Sequence, residues 1–344
     1  MRKAVHSLAS IALLALVSLM GAHPAAGQTP RPATQQQPQS SAPQEADERI
    51  GIKIVRVNVP ITVVDKKGVP VTGLTANDFL ILEDKKPQTI ETFVNEAEAR
   101  PLYIGLLMDT SSSTAGKLKF EQEAASNFTH TVARLRKDLV AFATFDDDVN
   151  LLQDFTNKLD LIDKAIYSVK KPGKQTSLYD AVWMFCDEKM RSVPGRRALV
   201  IITDGDDTYS RATLRDAIDI AQRTETTIFA ISTKAGFLGT VPGVEAGTVA
   251  DRGDKDLEKL CEETGGQAFF TGDILALERA FTRVAKELRA QYVVTYRPSN
   301  NNADGSFRRI EVKLTNGRDG LKVRAKRGYT AVADNVKNAS SSAN

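Results

Sequence analysis

Histidine is almost absent from this chain, and cysteine and tryptophan are scarce. The 344 residues include three histidines, two cysteines and one tryptophan. His6 and His23 fall within a predicted N-terminal leader, so only His130 belongs to the rest of the chain. A zinc site built on histidines needs several of them, and a Ser-His-Asp triad needs one beside its serine. Both kinds of site are therefore close to excluded.

Long apolar runs are also missing, except near the N-terminus. There Arg2 and Lys3 precede the apolar run 11–20, and the small residues Ala25, Ala26 and Gly27 follow it. This pattern is typical of a secretory signal peptide, predicted here over 1–27 with cleavage near Gly27. The run is short for a membrane span, although an uncleaved anchor is the alternative. We therefore expect an exported protein (periplasmic, cell-surface or secreted) with no transmembrane segment in the mature chain.

A strong charge of one sign is the third absence. Lysine and arginine total 46 against 43 aspartates and glutamates, and the charges are interspersed. No basic block favours nucleic acid, so no nucleic-acid partner is expected. The segments 28–49 and 333–344 hold few large apolar residues and are predicted to be a disordered linker and tail. Cys186 and Cys261 both sit in apolar, helix-like surroundings, which slightly favours free thiols over a bridge.

Between these segments the pattern changes twice. Residues 50–98 and 291–332 contain short β-branched runs separated by turn compositions, and residues 99–290 alternate apolar runs with helical periodicity. Alternating strands and helices predict an α/β fold with a doubly wound, mostly parallel sheet. Neither β-rich segment has enough strands to stand alone. We therefore expect the α/β domain to be inserted in, or flanked by, one small antiparallel β-sandwich-like domain; two separate β appendages are the alternative.

The first candidate site lies where an apolar run stops abruptly. Residues 102–108 read as a strand buried on both faces, and Asp109, Ser111 and Ser113 follow at once. The carboxyl end of such a strand is where open α/β sheets place ligands. One carboxylate and two hydroxyls offer only hard oxygen ligands, which suit Mg²⁺, Mn²⁺ or Ca²⁺. The alternative is a strand-to-helix loop in which Ser113 or Thr114 is only a helix N-cap.

Two further oxygen-bearing residues occupy comparable places. Thr176 precedes a helix predicted over 178–191, and Asp204 ends the strand predicted over 198–203. Thr176 has an alternative interpretation as a helix N-cap, and Asp204 as part of a turn. The acidic run 146–148 is expected to be a solvated hairpin end.

These five residues resemble a known metal site. In the von Willebrand factor type A (VWA) family, an Asp-x-Ser-x-Ser loop, a distant Thr and a distant Asp form a metal-ion-dependent adhesion site (MIDAS). The resemblance covers roughly 102–289 and matches all five positions in order. It implies a Rossmann-like VWA domain.

The resemblance also implies roles for the residues. Ser111 and Ser113 would bind the ion directly, Thr176 directly or through water, and Asp109 and Asp204 through waters or more closely. The ion would be Mg²⁺, or Mn²⁺ or Ca²⁺. An acidic side chain of a protein partner would complete its coordination.

The flanking segments carry a narrower resemblance. Residues 57–79, Arg297-Pro298 and 327–329 are similar to the opening and closing segments of exported acidobacterial "VWFA-related" proteins. This narrower resemblance implies no partner or substrate. The VWA resemblance implies an adhesion-type protein-binding module rather than an enzyme. Ser111 occupies the place where an aspartyl-phosphate enzyme usually has its second carboxylate. The alternatives are a scaffold in which the metal only stabilises the loops and, less favoured, a metal-assisted hydrolase.

Overall fold

The computed structural model describes most of the chain after residue 55. The described residues are 56–95, 100–114, 116–134, 136–170, 172–203, 206–234, 252–271, 274–315, 318 and 320–332. The predicted signal peptide 1–27, linker 28–49 and tail 333–344 lie outside them, and so does Asp204. The predicted domain bounds stay predictions.

Fourteen strands and six α-helices are found in the described residues. The strands are β1 (Val57–Val64), β2 (Phe79–Glu83), β3 (Lys86–Gln88), β4 (Ile90–Asn95), β5 (Leu102–Asp109), β6 (Leu139–Phe145), β7 (Val149–Thr156), β8 (Arg196–Thr203), β9 (Thr226–Ser232), β10 (Ala268–Phe270), β11 (Tyr292–Tyr296), β12 (Phe307–Leu314), β13 (Lys322–Ala325) and β14 (Gly328–Thr330). The helices are α1 (Leu118–Val132), α2 (Leu159–Ser168), α3 (Leu178–Met184), α4 (Leu214–Arg223), α5 (Arg252–Thr264) and α6 (Ile274–Arg289).

The central sheet has the order β10-β9-β8-β5-β6-β7, in which only β7 runs antiparallel. Helices α1, α2 and α6 cover one face, and α3, α4 and α5 cover the other. Strands β5 and β8 lie in the middle and are buried on both faces, which explains their continuous apolar sequences. The expected fold class, a doubly wound and mostly parallel α/β sheet, is confirmed. We call β5–β10 with α1–α6 the α/β unit.

The other strands form two antiparallel sheets, with orders β13-β1-β11-β4 and β14-β12-β2-β3. Each sheet combines strands from before and after the α/β unit: β1 pairs with β11 and β13, and β2 pairs with β12. Their shared core includes Phe79, Ile81, Tyr292 and Tyr296. We call β1–β4 with β11–β14 the β unit. The antiparallel, sandwich-like domain that was expected beside the parallel sheet is therefore present.

The last helix of the α/β unit leads directly into the β unit and is tied to it by a buried ion pair. Helix α6 ends at Arg289, and β11 begins at Tyr292. Both carboxylate oxygens of Glu287 lie 2.7 Å from Arg324 Nη1 on β13. The two side chains are 1% and 10% exposed. This buried ion pair therefore joins the last helix of the α/β unit to a strand of the β unit.

Two predicted helices differ from the structure at their ends. The helix expected over 178–191 is α-helical only to Met184, and Phe185–Met190 continues as a π-helix. The sequence 211–223 also predicts a helix, which in the structure begins at Leu214, because Thr213 and Asp216 form a capping box there. Residues 211 and 212 instead donate their N–H groups to the carboxylate of Asp180.

Both cysteines are buried free thiols, as the sequence slightly favoured. Burial raises the pKa of Cys186 to about 12, so this thiol is protonated and unreactive at neutral pH. Among the described helices, none has the length and apolar character needed to cross a bilayer.

Candidate functional site

The site begins at the carboxyl ends of two neighbouring parallel strands. Strand β5 ends at Asp109 and β8 ends at Thr203. The carboxylate of Asp109 is fully buried, and its orientation is set from two directions. The Ser111 N–H donates to Oδ1 at 2.8 Å, and the Thr203 hydroxyl donates to Oδ2 at 2.7 Å. The carboxylate is therefore held in place by protein groups.

The serine loop is compact and presents two hydroxyl groups together. The Oγ atoms of Ser111 and Ser113 lie 2.9 Å apart. Residues 112–114 form a 3₁₀ turn, in which the Thr114 hydroxyl donates to the carbonyls of Ser111 (2.9 Å) and Asp109 (3.2 Å). Ser113 is exposed, whereas Ser111 is buried. The loop thus offers one inner and one outer oxygen.

The N-cap interpretation of this loop is wrong. Helix α1 begins at Leu118, and Lys117 occupies its N-cap position without a side-chain capping bond. Neither Ser113 nor Thr114 caps the helix.

Thr176 lies on a loop braced by the segment that follows β8. Its N–H donates to Thr208 Oγ1 at 2.9 Å, and its carbonyl accepts the N–H groups of Thr208 and Tyr209. Ser177 holds the N-cap position of α3, but no side-chain oxygen caps that helix. Within the described part of the chain, the Thr176 hydroxyl makes no hydrogen bond, although the residue is only 4% exposed. That hydroxyl therefore remains available to an ion.

The serine and Thr176 loops touch each other. The Gly173 N–H donates to the Thr110 carbonyl at 2.8 Å, and the Ser112 hydroxyl reaches the Lys174 carbonyl at 3.5 Å. The structure brings together the loops that carry Asp109, Ser111, Ser113 and Thr176. Asp204 is outside the described residues.

The acidic turn 146–148 is the hairpin end between the antiparallel strands β6 and β7, as the sequence suggested, but it is only partly solvated. Asp146 and Asp147 are half-buried, and both bind the loops of the site. Asp146 Oδ2 accepts the Thr110 hydroxyl at 2.8 Å, and Asp147 Oδ2 accepts the Lys174 N–H at 2.9 Å. The expected solvation was wrong for Asp146 and Asp147, because their contacts join residues far apart in sequence. Only Asp148 is exposed.

The segment after Asp204 separates into an outer and an inner carboxylate. Asp206 is exposed and pairs with Lys234 at 2.6 Å. Asp207 turns inward, accepting the Ser210 hydroxyl and the Tyr179 N–H at the start of α3. Burial raises the pKa of Asp207, and these hydrogen bonds partly offset the rise. Asp207 therefore holds the start of α3, and Asp206 lies at the surface.

The donor chemistry of the site fits a hard divalent cation. Among the described residues, no group of three or more His, Cys, Asp and Glu side chains is placed to hold a metal. The available atoms are instead hydroxyl and carboxylate oxygens, which suit Mg²⁺, Mn²⁺ or Ca²⁺. Sequence reasoning missed Thr203 and Thr208, whose hydroxyls orient Asp109 and Thr176. The position of Thr203 at the end of the strand beside β5 was the available signal.

Comparison with known proteins gives structural likeness only. No protein-family model matches the chain, and no curated protein matches it. An aerotolerance-related membrane protein from Bacteroides fragilis, carrying multiple mutations to serines, is 14% identical with a TM-score of 0.42; the match covers 54% of this chain and 98% of that protein. Proximal thread matrix protein 1 from the mussel byssus, with a zinc-occupied MIDAS motif, is 16% identical with a TM-score of 0.46. That match covers 60% of this chain and 49% of the mussel protein. The PilB minor pilin from Streptococcus sanguinis is 14% identical with a TM-score of 0.42, and the match covers 56% of this chain and 62% of the pilin.

This chain thus spans nearly all of the first of these structures but only about half of the mussel protein. At these identities and TM-scores the likenesses carry no argument about function.

Proposed function

We propose that this chain is a metal-dependent protein-binding module of the VWA type. Its divalent cation is held by Asp109, Ser111, Ser113, Thr176 and Asp204. The observation that carries the proposal is the pair of Ser111 and Ser113 hydroxyls, 2.9 Å apart, beside a carboxylate that two hydrogen bonds already orient. Mg²⁺ is the preferred ion, since it keeps several waters and needs few protein ligands.

The partner in this proposal is a protein that presents an acidic side chain. Hydroxyl ligands bring no charge, so a site with few carboxylates leaves a divalent ion short of negative charge. The exposure of Ser113 supports access to the ion from solvent on that side. A partner carboxylate can replace a metal-bound water there and supply the missing charge.

The scaffold alternative is less well supported. The serine and Thr176 loops are already joined by the Gly173–Thr110 hydrogen bond, and Thr208 braces Thr176 from the other side. Protein groups therefore order these loops, and an ion has little left to stabilise. A ligand-binding role uses the ion better than a purely structural one.

A hydrolase is also disfavoured. The one described histidine, His130, lies on α1 and contacts Asp163 of α2 at 2.8 Å. It pairs with that carboxylate rather than with Ser111 or Ser113, so neither serine has a histidine base. We propose that the chain is not an enzyme. Export is proposed from the charged, apolar and small-residue pattern of residues 2–27 alone.

The proposal is tested by titrating Mg²⁺ and Mn²⁺ into the purified chain by calorimetry. Ser113→Ala removes a proposed ligand, and Ser192→Ala removes an exposed serine in the segment before β8, outside the loops of the site, and serves as the matched control. Losing a residue that only supports a ligand typically weakens metal binding by about 10–100-fold, so Ser113→Ala should cost at least about tenfold. Ser192→Ala should bind as the wild type does. No saturable binding to the wild type, or equal binding by both variants, would contradict the proposed site.

A further inference from the structure

Asp146, in the turn between β6 and β7, joins the two loops that carry the proposed ligands. Its Oδ2 accepts the Thr110 hydroxyl at 2.8 Å, and its carbonyl accepts the Ser177 N–H at 3.0 Å. Thr110 lies between Asp109 and Ser111, and Ser177 follows Thr176. Asp146 is not a proposed ligand, but its two hydrogen-bond partners are sequence neighbours of three proposed ligands.

Gly173 closes the junction from a third side. Its N–H donates to the Thr110 carbonyl, and an added Cβ would lie 2.4 Å from both Cβ and Cγ of Asp146. That distance is far below a normal carbon contact, so the loop reaches this position only with glycine. Thr110, Asp146 and Gly173 therefore form a closed triangle of contacts that fixes the spacing of the loops.

Asp146 acts through this geometry and is not itself aimed at an ion. Its Oδ2 is engaged by Thr110, and its Oδ1 accepts the Asp148 N–H at 3.2 Å within the turn. Thr110 is only 2% exposed, so its hydroxyl depends on a protein acceptor. Removing the Asp146 carboxylate leaves the weaker contact to the Phe145 carbonyl, at 3.4 Å.

We propose that Asp146 is a positioning residue of the metal site, fixing Thr176 relative to Ser111. The inference rests on the proposed function. It predicts that Asp146 sets metal affinity without contacting the metal, as supporting residues do elsewhere.

The test compares Asp146→Ala with Asp148→Ala in Mn²⁺ calorimetry on the full chain. Both variants lose one negative charge from the same turn, but only the Asp146 carboxylate accepts the Thr110 hydroxyl of the serine loop. Loss of charge alone should weaken binding similarly in the two. Loss of positioning should weaken Asp146→Ala by about a further tenfold, the lower end of what supporting residues contribute. The melting temperature of each variant in the presence of a chelator reports the stability of the metal-free fold separately.

Two more variants protect the test against a folding defect in Asp146→Ala. Asp146→Asn keeps an oxygen acceptor for Thr110 and should restore most of the affinity. Thr110→Val removes the hydroxyl from the other end of the same bond while keeping the side chain's shape. It should weaken Mn²⁺ binding to a similar extent, and the combined Thr110→Val and Asp146→Ala changes should be less than additive.

The outcomes separate this inference from the proposed function. If the wild type does not bind Mn²⁺, both fall together. If the wild type binds but Asp146→Ala matches Asp148→Ala, or Thr110→Val binds as tightly as the wild type, the positioning role is overturned while the metal site stands. A lower melting temperature in chelator with unchanged affinity would show that Asp146 supports only the fold.

Discussion

The ion pair between Glu287 and Arg324 is the place where one substitution should loosen the contact between α6 and β13. The Glu287 side chain is 1% exposed, and both of its oxygens face Arg324 Nη1 at 2.7 Å. Arg324→Met keeps the apolar stem but leaves a buried carboxylate without its cation. Breaking a buried pair from one side costs about 3–5 kcal/mol of unfolding free energy. At about 2 °C per kcal/mol, the melting temperature should fall by roughly 6–10 °C.

The controls use the same chemistry at a different exposure. Arg56 and Glu91 form an ion pair at 2.9 Å whose side chains are 49% and 27% exposed. Arg56→Met should cost at most about 1 kcal/mol, since water screens such pairs. A double variant, Glu287→Leu with Arg324→Met, removes both buried charges. It should be more stable than Arg324→Met alone, because no unpaired carboxylate remains.

The assay is equilibrium unfolding in urea, followed by two probes. The single tryptophan, Trp183, lies on α3 and reports on the α/β unit, whereas far-UV circular dichroism reports on both units. Coincident transitions would show that the two units unfold together. The stabilising role of the buried pair is refuted if Arg324→Met lowers the free energy of unfolding no more than Arg56→Met does. It is also refuted if the double variant is no more stable than Arg324→Met.

Two further substitutions test the packing of the core and the loss of stability at low pH. A Cβ on Gly105 would lie 2.3 Å from the Phe185 ring, so Gly105→Ala should overpack the core. The free energy of unfolding measured in urea should fall by about 1–3 kcal/mol. An unchanged value would show that Phe185 moves aside freely. Burial opposes ionisation of Asp138, but hydrogen bonds from the Arg134 side chain and from the N–H groups of Leu102 and Arg134 outweigh it and lower its pKa below 3.8. The ionised Asp138 carboxylate therefore adds to the free energy of unfolding above about pH 3.8. This contribution is lost as the pH falls through the lower pKa of the folded state. In urea unfolding at a series of pH values, the difference in free energy of unfolding between the wild type and Asp138→Asn should shrink as the pH falls below about 3.8. A difference that does not change with pH would refute the stabilising role of the ionised carboxylate.

Local patterns were enough to predict the central strands and the serine loop. Residues 102–108 form a continuous apolar run because β5 has neighbours on both sides and helices on both faces. The polar residues after it mark the end of the strand. The positions of Asp109, Ser111 and Ser113 at the carboxyl end of β5 follow directly from that break.

Contacts between distant segments could not be predicted in the same way. The turn 146–148 has the composition of a solvated hairpin, yet Asp146 binds Thr110, 36 positions earlier. The π-helix after Met184 has the same apolar residues as a continued α-helix, so periodicity does not distinguish them. The wider turn is visible only in the hydrogen bonds, such as the one from the Arg191 N–H to the Cys186 carbonyl five residues earlier.

The pairing of β1 has a consequence for the order in which the chain can fold. Ile61 lies opposite both Tyr292 and Ala325, so during synthesis β1 stays without a strand neighbour until almost all of the described chain has been made. Until then its apolar residues, Val57, Val59, Ile61 and Val63, are exposed on an open edge, the kind of surface that pairs with other molecules. The α/β unit has no such wait, because its strands find their neighbours within its own sequence. A ribosome-bound or truncated chain that stops before β11 should therefore hold a folded α/β unit and an aggregation-prone leading strand.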